Sequence, residues 1–238
     1  MSGEALLGGA SYGIDPHVVT SRAAQLAQVR KMGVDVAVVM GGGNIWRGAT
    51  AELAGMDRSQ ADYMGMLGTV INSIALQDAL ERDGIQTRLM TAIEMRQVAE
   101  PFIRRRAIRH LEKGRVVIFA AGIGSPYFST DTAAVLRGVE IGAQVLLMAK
   151  NKVDGVYDAD PRHSVEARKF ASIEYIDALT RGLGVMDSTA LSLSMANNLP
   201  IIVFDIEKPG NLLRAARGEA VGTYVGRPSV LVDETVAG

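Results

Sequence analysis

The 238-residue sequence contains no cysteine. Disulfides, thiolate nucleophiles and thiolate metal sites are therefore excluded, and the composition fits a reducing cytosol. Aromatic residues are sparse at 5%, with Trp46 the single tryptophan. Charge of either sign is not in excess: 25 Lys+Arg against 26 Asp+Glu leave a formal net charge of −1. A general nucleic-acid or membrane-surface binder carries a clear basic excess, so neither partner is expected as the primary one. No apolar run approaches the roughly 20 residues needed to span a bilayer. The opening MSGEALLGGASYG lacks the charged and apolar regions of a signal peptide. A cytoplasmic location is the resulting expectation. His17, His110 and His163 are scattered without ligand spacing, so a histidine metal site is not expected.

What is present is globular in character, with 48% hydrophobic and 21% charged residues. The length suits one large domain, or one domain with two lobes. Glycine is enriched, at 26 residues or about 11% against a typical ~7%. The excess is clustered, and the clusters follow apolar runs.

Residues 34–40 (VDVAVVM) run into Gly41-Gly42-Gly43, and residues 116–121 (VVIFAA) run into Gly122-Ile123-Gly124. Residues 145–149 and 201–204 are two more such runs, and 86–90 a weaker one. Runs this uniformly apolar suit parallel strands covered on both faces. Between them, periodic stretches predict helices over 16–31, 61–82, 101–113, 131–142 and 188–198. Strand, glycine, helix, strand is the pattern of an α/β domain, a three-layer α/β/α sandwich around a mainly parallel sheet. Ligands of such sheets bind beyond the carboxyl ends of the strands, where both glycine clusters lie.

The first cluster is Gly41-Gly42-Gly43-Asn44-Ile45-Trp46-Arg47-Gly48. Glycines there let backbone N–H groups approach an anion, and Arg47 adds a planar fork suited to phosphate. It is neither a P-loop nor G-x-G-x-x-G. The second is Gly122 to Asp131, which ends at a helix start whose first N–H groups, over 129–132, form an anion site. Asp131 reads either as a helix cap or as a carboxylate that orients lysines or magnesium. The third, Lys152 to Pro161 (KVDGVYDADP), reads as a turn-rich loop without EF-hand spacing.

Together these motifs resemble the amino acid kinase superfamily, and within it the bacterial uridylate (UMP) kinases. The resemblance covers essentially the whole chain, including residues 62–67 (DYMGML), 185–187 (VMD) and 208–210 (KPG). It implies a single domain over residues 1–238, with its N-terminal part on the UMP side and roughly 145–238 on the ATP side. The implied reaction is phosphoryl transfer from Mg·ATP to UMP, giving UDP and ADP in pyrimidine biosynthesis. Mg²⁺ would be held mainly through phosphate oxygens. A homohexamer, GTP activation and UTP inhibition are implied as well.

Residue by residue, the resemblance assigns Gly42 to the UMP phosphate and Asp62 to the UMP ribose. Ile123, Gly124, Ser125, Pro126, Tyr127, Phe128, Ser129 and Thr130 would cradle the rest of UMP. Ser2, Gly3, Gly43, Asn151, Tyr157 and Asp160 fall to ATP. Arg47 would contact phosphate between the two nucleotides, with Asp131 and Asp187 as charge organisers. Gly8, Gly9, Ala10, Ser11, Tyr12 and Gly13 match the segment linked to GTP activation. Kinases of small acids on the same fold, and a non-catalytic nucleotide-binding or storage protein, are the alternatives. The Asp62 region and the 123–130 run favour a nucleoside monophosphate.

The family pattern also has an apolar strand ending in Lys-x-Ser-Gly, whose lysine contacts the transferred phosphoryl. Here Met1 stands at the x position before Ser2-Gly3. The resemblance implies upstream codons for an apolar run ending in lysine, and poor stability and activity without it. Lys150 and Lys152 are the first candidates to replace that lysine.

Overall fold

The computed structural model describes residues 1–47, 55–150, 153–161, 164, 166–184 and 186–227. A 3₁₀ turn over Gly3–Leu6 precedes α1 (Pro16–Lys31). The chain continues through β1 (Ala37–Val39), α2 (Arg58–Arg82), β2 (Thr87–Thr91), β3 (Glu100–Pro101), α3 (Arg104–Glu112), β4 (Val116–Ala120) and α4 (Thr130–Ile141). The second half comprises β5 (Leu146–Lys150), β6 (Ser172–Ile173), α5 (Tyr175–Thr180), α6 (Ser188–Asn197), β7 (Ile201–Asp205), α7 (Asn211–Ala216) and β8 (Thr223–Val225).

Local chemistry explains the boundaries. Asp15 caps α1 by accepting from the His17 and Val18 N–H groups, and Pro16 occupies the first helical position, where its missing N–H costs nothing. Asp57 caps α2 through the Gln60 N–H, which starts that helix three residues before the apolar period begins. Ser129, not Asp131, caps α4, accepting from the Thr132 N–H at 3.0 Å. The α4 start therefore leaves fewer N–H groups for a ligand than the 129–132 expectation.

The strands form two four-stranded sheets, ordered β3-β2-β4-β1 and β5-β7-β8-β6. The first is wholly parallel, and in the second only β7–β8 is antiparallel. The expected mainly parallel α/β fold is present, with its sheet in two halves. β4 is buried at all five positions, as its unbroken apolar run requires. One core cluster joins the halves, from Leu6 and Leu26 through Val38 and Ile118 to Phe204 and Ile206.

Between the edge strands β1 and β5 lies an apolar cavity of about 780 Å³. Val36, Val38, Leu147 and Ala149 face it from the two edges, Leu26 and Val29 of α1 close one side, and Ala134 and Ile141 of α4 close the other. Met1 sits at its end. The Met1 ammonium donates to the Val39 carbonyl at 2.9 Å, and the Gly41 N–H donates to the Met1 carbonyl at 2.9 Å. That exchange is one rung of a parallel ladder beside β1.

Burial of the ammonium, offset by Asp131 and reinforced by Lys150, pushes it from 8.0 down to about 6. The folded chain thus binds fewer protons than the unfolded chain between pH 6 and 8. Stability must rise with pH through that window, by roughly 2–3 kcal/mol for a shift of this size. Denaturant midpoints across pH 5–9 should show the rise in the free-amine chain, and Nα-acetylation should abolish it.

Candidate functional site

The carboxyl ends of β1 and β4 open onto a cavity of about 580 Å³. Its walls include Gly42, Gly43, Trp46 and Arg47 after β1, and Gly122, Tyr127, Phe128, Ser129 and Thr130 after β4. Asp62 and Gly65 of α2 and Asp187 before α6 complete it. Two glycine-rich segments, beginning at Gly41 and Gly122 and far apart in the chain, thus meet because parallel β1 and β4 are hydrogen-bonded neighbours, with Val39 opposite Phe119.

The three glycines are required for different reasons. A Cβ on Gly41 would lie 2.8 Å from the Gly3 nitrogen, and one on Gly42 would lie 2.4 Å from the Gly65 carbonyl oxygen of α2. Both contacts are with backbone, which cannot yield cheaply. Gly43 has more room, with Glu4 Oε1 at 3.4 Å and the Arg47 Nε at 3.7 Å. Two glycines let protein pack against protein, and the third faces the site. Among the described residues, the N–H groups of Gly42, Gly43 and Asn44 have no hydrogen-bond partner. Successive N–H groups of this kind make an anion-binding concavity. Ser2 and Gly3 stack on this loop and line the apolar cavity instead.

Arg47 forms an ion pair with Glu4, and its Nε donates to the Gly43 carbonyl at 3.3 Å. Its side chain remains 58% exposed, so a phosphate that displaces Glu4 would find the guanidinium accessible. Asp62 is held more firmly. It accepts from the Arg58 Nε at 2.9 and 3.0 Å and from the Tyr127 N–H at 2.8 Å. A carboxylate offers about four acceptor positions, which leaves capacity for a hydroxyl donor. Arg58 also lies over the Tyr127 ring, 5.9 Å from its centroid. Tyr127 has φ +70°, and Ala121 of the same turn has φ +60°. Non-glycine residues in that region store strain, and here Asp62 and Arg58 hold the tyrosine in place.

Ile123, Gly124, Ser125 and Pro126 belong to the turn but not to the cavity lining. Gly124, at φ +83°, packs on Ala92, where a Cβ would lie 3.0 Å from the carbonyl oxygen. Asp187 caps α6 through the Ala190 N–H at 2.9 Å and accepts from the Thr132 hydroxyl at 3.1 Å and from Ser129. It thereby ties α6 to the start of α4. Asp131 pairs with Lys150 at 3.6 Å, and both line the apolar cavity near Met1. Lys150 thus lines the apolar cavity and not the cavity at the ends of β1 and β4.

Asn151 and Lys152 lie outside the described residues. Tyr157 and Asp160 are described and line neither cavity. Tyr157 donates its hydroxyl to Asp154 at 2.7 Å, and Lys169 and Lys208 each approach Asp154 at 3.2 Å. The Tyr157 hydrogen bond, ahead of the two lysines, holds the Asp154 carboxyl down at about 2. Gly8 to Gly13 form a turn beside the first glycine loop, with the Gly13 N–H on the Asn44 carbonyl at 3.0 Å. No group of three or more acidic or histidine side chains that could hold a metal occurs among the described residues.

Sequence reasoning missed Glu4, Arg58 and Thr132. Arg58 was findable as the i,i+4 partner of Asp62 on a helix. Glu4 and Thr132 carry no local signal, because the contacts that place them come from distant segments.

Residues 7–205 match the amino acid kinase family. The chain belongs to that family. Among solved structures it is similar to the UMP kinase of Bacillus anthracis, at 39% identity and TM-score 0.93, over 96% of this chain and 94% of that one. It is similar to the UMP kinase of Ureaplasma parvum at 39% identity and TM-score 0.90, over 95% and 96% of the two chains. The uridylate kinase of Archaeoglobus fulgidus matches at 26% identity and TM-score 0.69, over 89% and 94%. No described helix of this kinase is long and apolar enough to cross a membrane.

Proposed function

We propose that this amino acid kinase family member transfers the γ-phosphoryl group of Mg·ATP to UMP, giving UDP and ADP. The observation that carries the reading is the convergence of Gly42, Gly43, Arg47, Asp62 and the start of α4 on one cavity. Phosphoryl transfer needs little covalent help from protein. It needs donor and acceptor in line, with N–H groups and cations on the transferred phosphoryl.

In this reading the UMP phosphate rests on the Gly42 N–H, its ribose hydroxyls donate to Asp62, and its base lies along the 127–130 segment. ATP approaches from the side of Gly3, Gly43, Tyr157 and Asp160, with Arg47 between the two phosphates. Mg²⁺ enters with ATP and is held mainly by phosphate oxygens, as small hard cations usually are. Asp131 and Asp187 order the surrounding charge: Asp131 orients Lys150, and Asp187 orients the hydroxyls at the start of α4.

A cytoplasmic homohexamer, activated by GTP through the 8–13 turn and inhibited by UTP, completes the reading. Tyr63, Leu67, Ile71 and Ile74 form an exposed apolar stripe along α2, which supports self-association. Sedimentation should give six copies per particle.

Asp62→Asn tests the substrate assignment. It removes a charged acceptor from one ligand only, so the UMP KM should rise about tenfold while the ATP KM moves less than twofold. Equal rises for both nucleotides would contradict the assignment.

A further inference from the structure

The side chains of Asn44 and Asn72 are buried, at 3% and 0% exposure, and neither lines a cavity. They face each other as a reciprocal amide pair. Asn44 Nδ2 donates to Asn72 Oδ1 at 3.0 Å, and Asn72 Nδ2 donates to Asn44 Oδ1 at 2.6 Å. Each amide then donates to a backbone carbonyl in a different segment. Asn72 reaches the Gly41 carbonyl at 2.7 Å, and Asn44 reaches the Gly13 carbonyl at 2.8 Å. Three segments distant in sequence are thus joined by two amides: α2, the glycine loop and the end of the 8–13 turn.

The bond to Gly41 has a directional consequence. A trans peptide is planar, and its C=O and N–H point in opposite directions. The Gly41 carbonyl shares its peptide plane with the Gly42 N–H. Anchoring that oxygen on Asn72 therefore fixes the direction of a site-facing N–H that Asn72 itself never touches. The bond to Gly13 is doubled, because the Gly13 N–H returns to the Asn44 carbonyl at 3.0 Å. A displacement of the 8–13 turn must then move Asn44, which directly follows Gly43.

We propose that the Asn44–Asn72 pair is a positioning device: it aims the Gly42 N–H at the phosphate and mechanically couples the 8–13 turn to the glycine loop. Its catalytic part rests on the phosphoryl-transfer reading of the site. Its structural part does not. A buried amide left without its partner would also destabilise the fold, so stability alone does not identify the role. Ser73→Ala is the control. Ser73 is equally buried on the same helix, and among the described residues its hydroxyl bonds only to the Thr69 carbonyl, at 2.7 Å.

Hydrogen exchange in the ligand-free protein reads the coupling directly. Asn72→Ala should speed exchange about tenfold both at 42–46 and at 8–13, and Ser73→Ala should leave both unchanged. In turnover assays Asn72→Ala should lower kcat about tenfold with a smaller change in the ATP KM. The Asn44→Ala/Asn72→Ala double variant should fall no further than the worse single variant, because the pair acts as a unit. If Asn72→Ala does not fold, Asn44→Ser carries the test. It releases Gly13 while Asn72 keeps Gly41, so exchange should rise at 8–13 and not at 42–43. Exchange changes confined to α2, a kcat within twofold of the parent, or multiplicative losses in the double variant would overturn the proposal. A parent enzyme that makes no UDP would sink the phosphoryl-transfer reading instead, with the exchange result still decisive for the coupling.

Discussion

A chain extended at Met1 by about six apolar residues and a terminal lysine should unfold at least 10 °C higher than the 238-residue chain. The apolar cavity lies between the edge strands β1 and β5, with helices on both faces, and is wide enough to take an added strand. The register is already set, because Met1 exchanges ladder bonds with Val39 and Gly41. Each fully buried apolar side chain contributes roughly 1.5–3 kcal/mol, against about 1–2 kcal/mol per residue of lost backbone freedom. Closing two open edges adds the hydrogen bonds of a central strand, and converting the buried ammonium to a peptide N–H removes its desolvation cost. A net gain of about 4 kcal/mol corresponds to roughly 10 °C for a domain of this size. Calorimetry of the two chains measures it. An unchanged melting temperature would mean that the halves are already stable apart. Activity should rise as well, since the added lysine would enter beside Asp131 and Lys150.

Arg47→Lys should lower kcat/KM for UMP and ATP about ten- to a hundredfold. Arg47 is the guanidinium next to the open face of Gly43, and among the described residues Glu4 and the Gly43 carbonyl engage it. Lysine keeps the charge but not the fork that binds two phosphate oxygens at once. A charged hydrogen bond of about 1.5–3 kcal/mol sets the size of the loss. The loss should appear in kcat more than in either KM, because a contact between donor and acceptor phosphates is strongest while charge is moving between them. Steady-state kinetics with each nucleotide varied in turn reads both parameters. Kinetics equal to the parent's would make Arg47 a surface residue that serves only its pair with Glu4.

Much of this architecture was legible in the sequence because single elements carry strong local signals. α1 runs over the expected 16–31, where a cap, a proline and an apolar period coincide. β4 and β7 were visible as unbroken apolar runs. The helix expected from 101 begins at 104, because Glu100 and Pro101 pair with Met90 and Thr91 as a short strand. That pairing is a tertiary event and leaves no periodicity. β6 and β8, at two and three residues, are too short to show one. The division of the sheet into two halves was not legible, because β1 and β5 each read locally as an ordinary apolar run.

The site was legible at its glycines and its charges. Gly41 and Gly42 were read as letting backbone N–H groups approach a ligand, and their missing Cβ atoms also make room for Gly3 and for α2. Asp131 was expected either as a cap or as an organiser of lysines or magnesium. The structure gives the cap to Ser129 and pairs Asp131 with Lys150. The Asn44–Asn72 pair was invisible because nothing local distinguishes a clasping asparagine from a solvated one.

The most direct test of the central claim is a coupled assay for UDP. UMP, aspartate, glutamate and carbamate would each be offered with Mg·ATP to the 238-residue chain and to the strand-extended chain. UDP formation from UMP, faster in the extended chain, with no ATP consumed on the small acids, is the predicted result. ATP turnover on a small acid, or UMP binding to both chains without UDP, would contradict it.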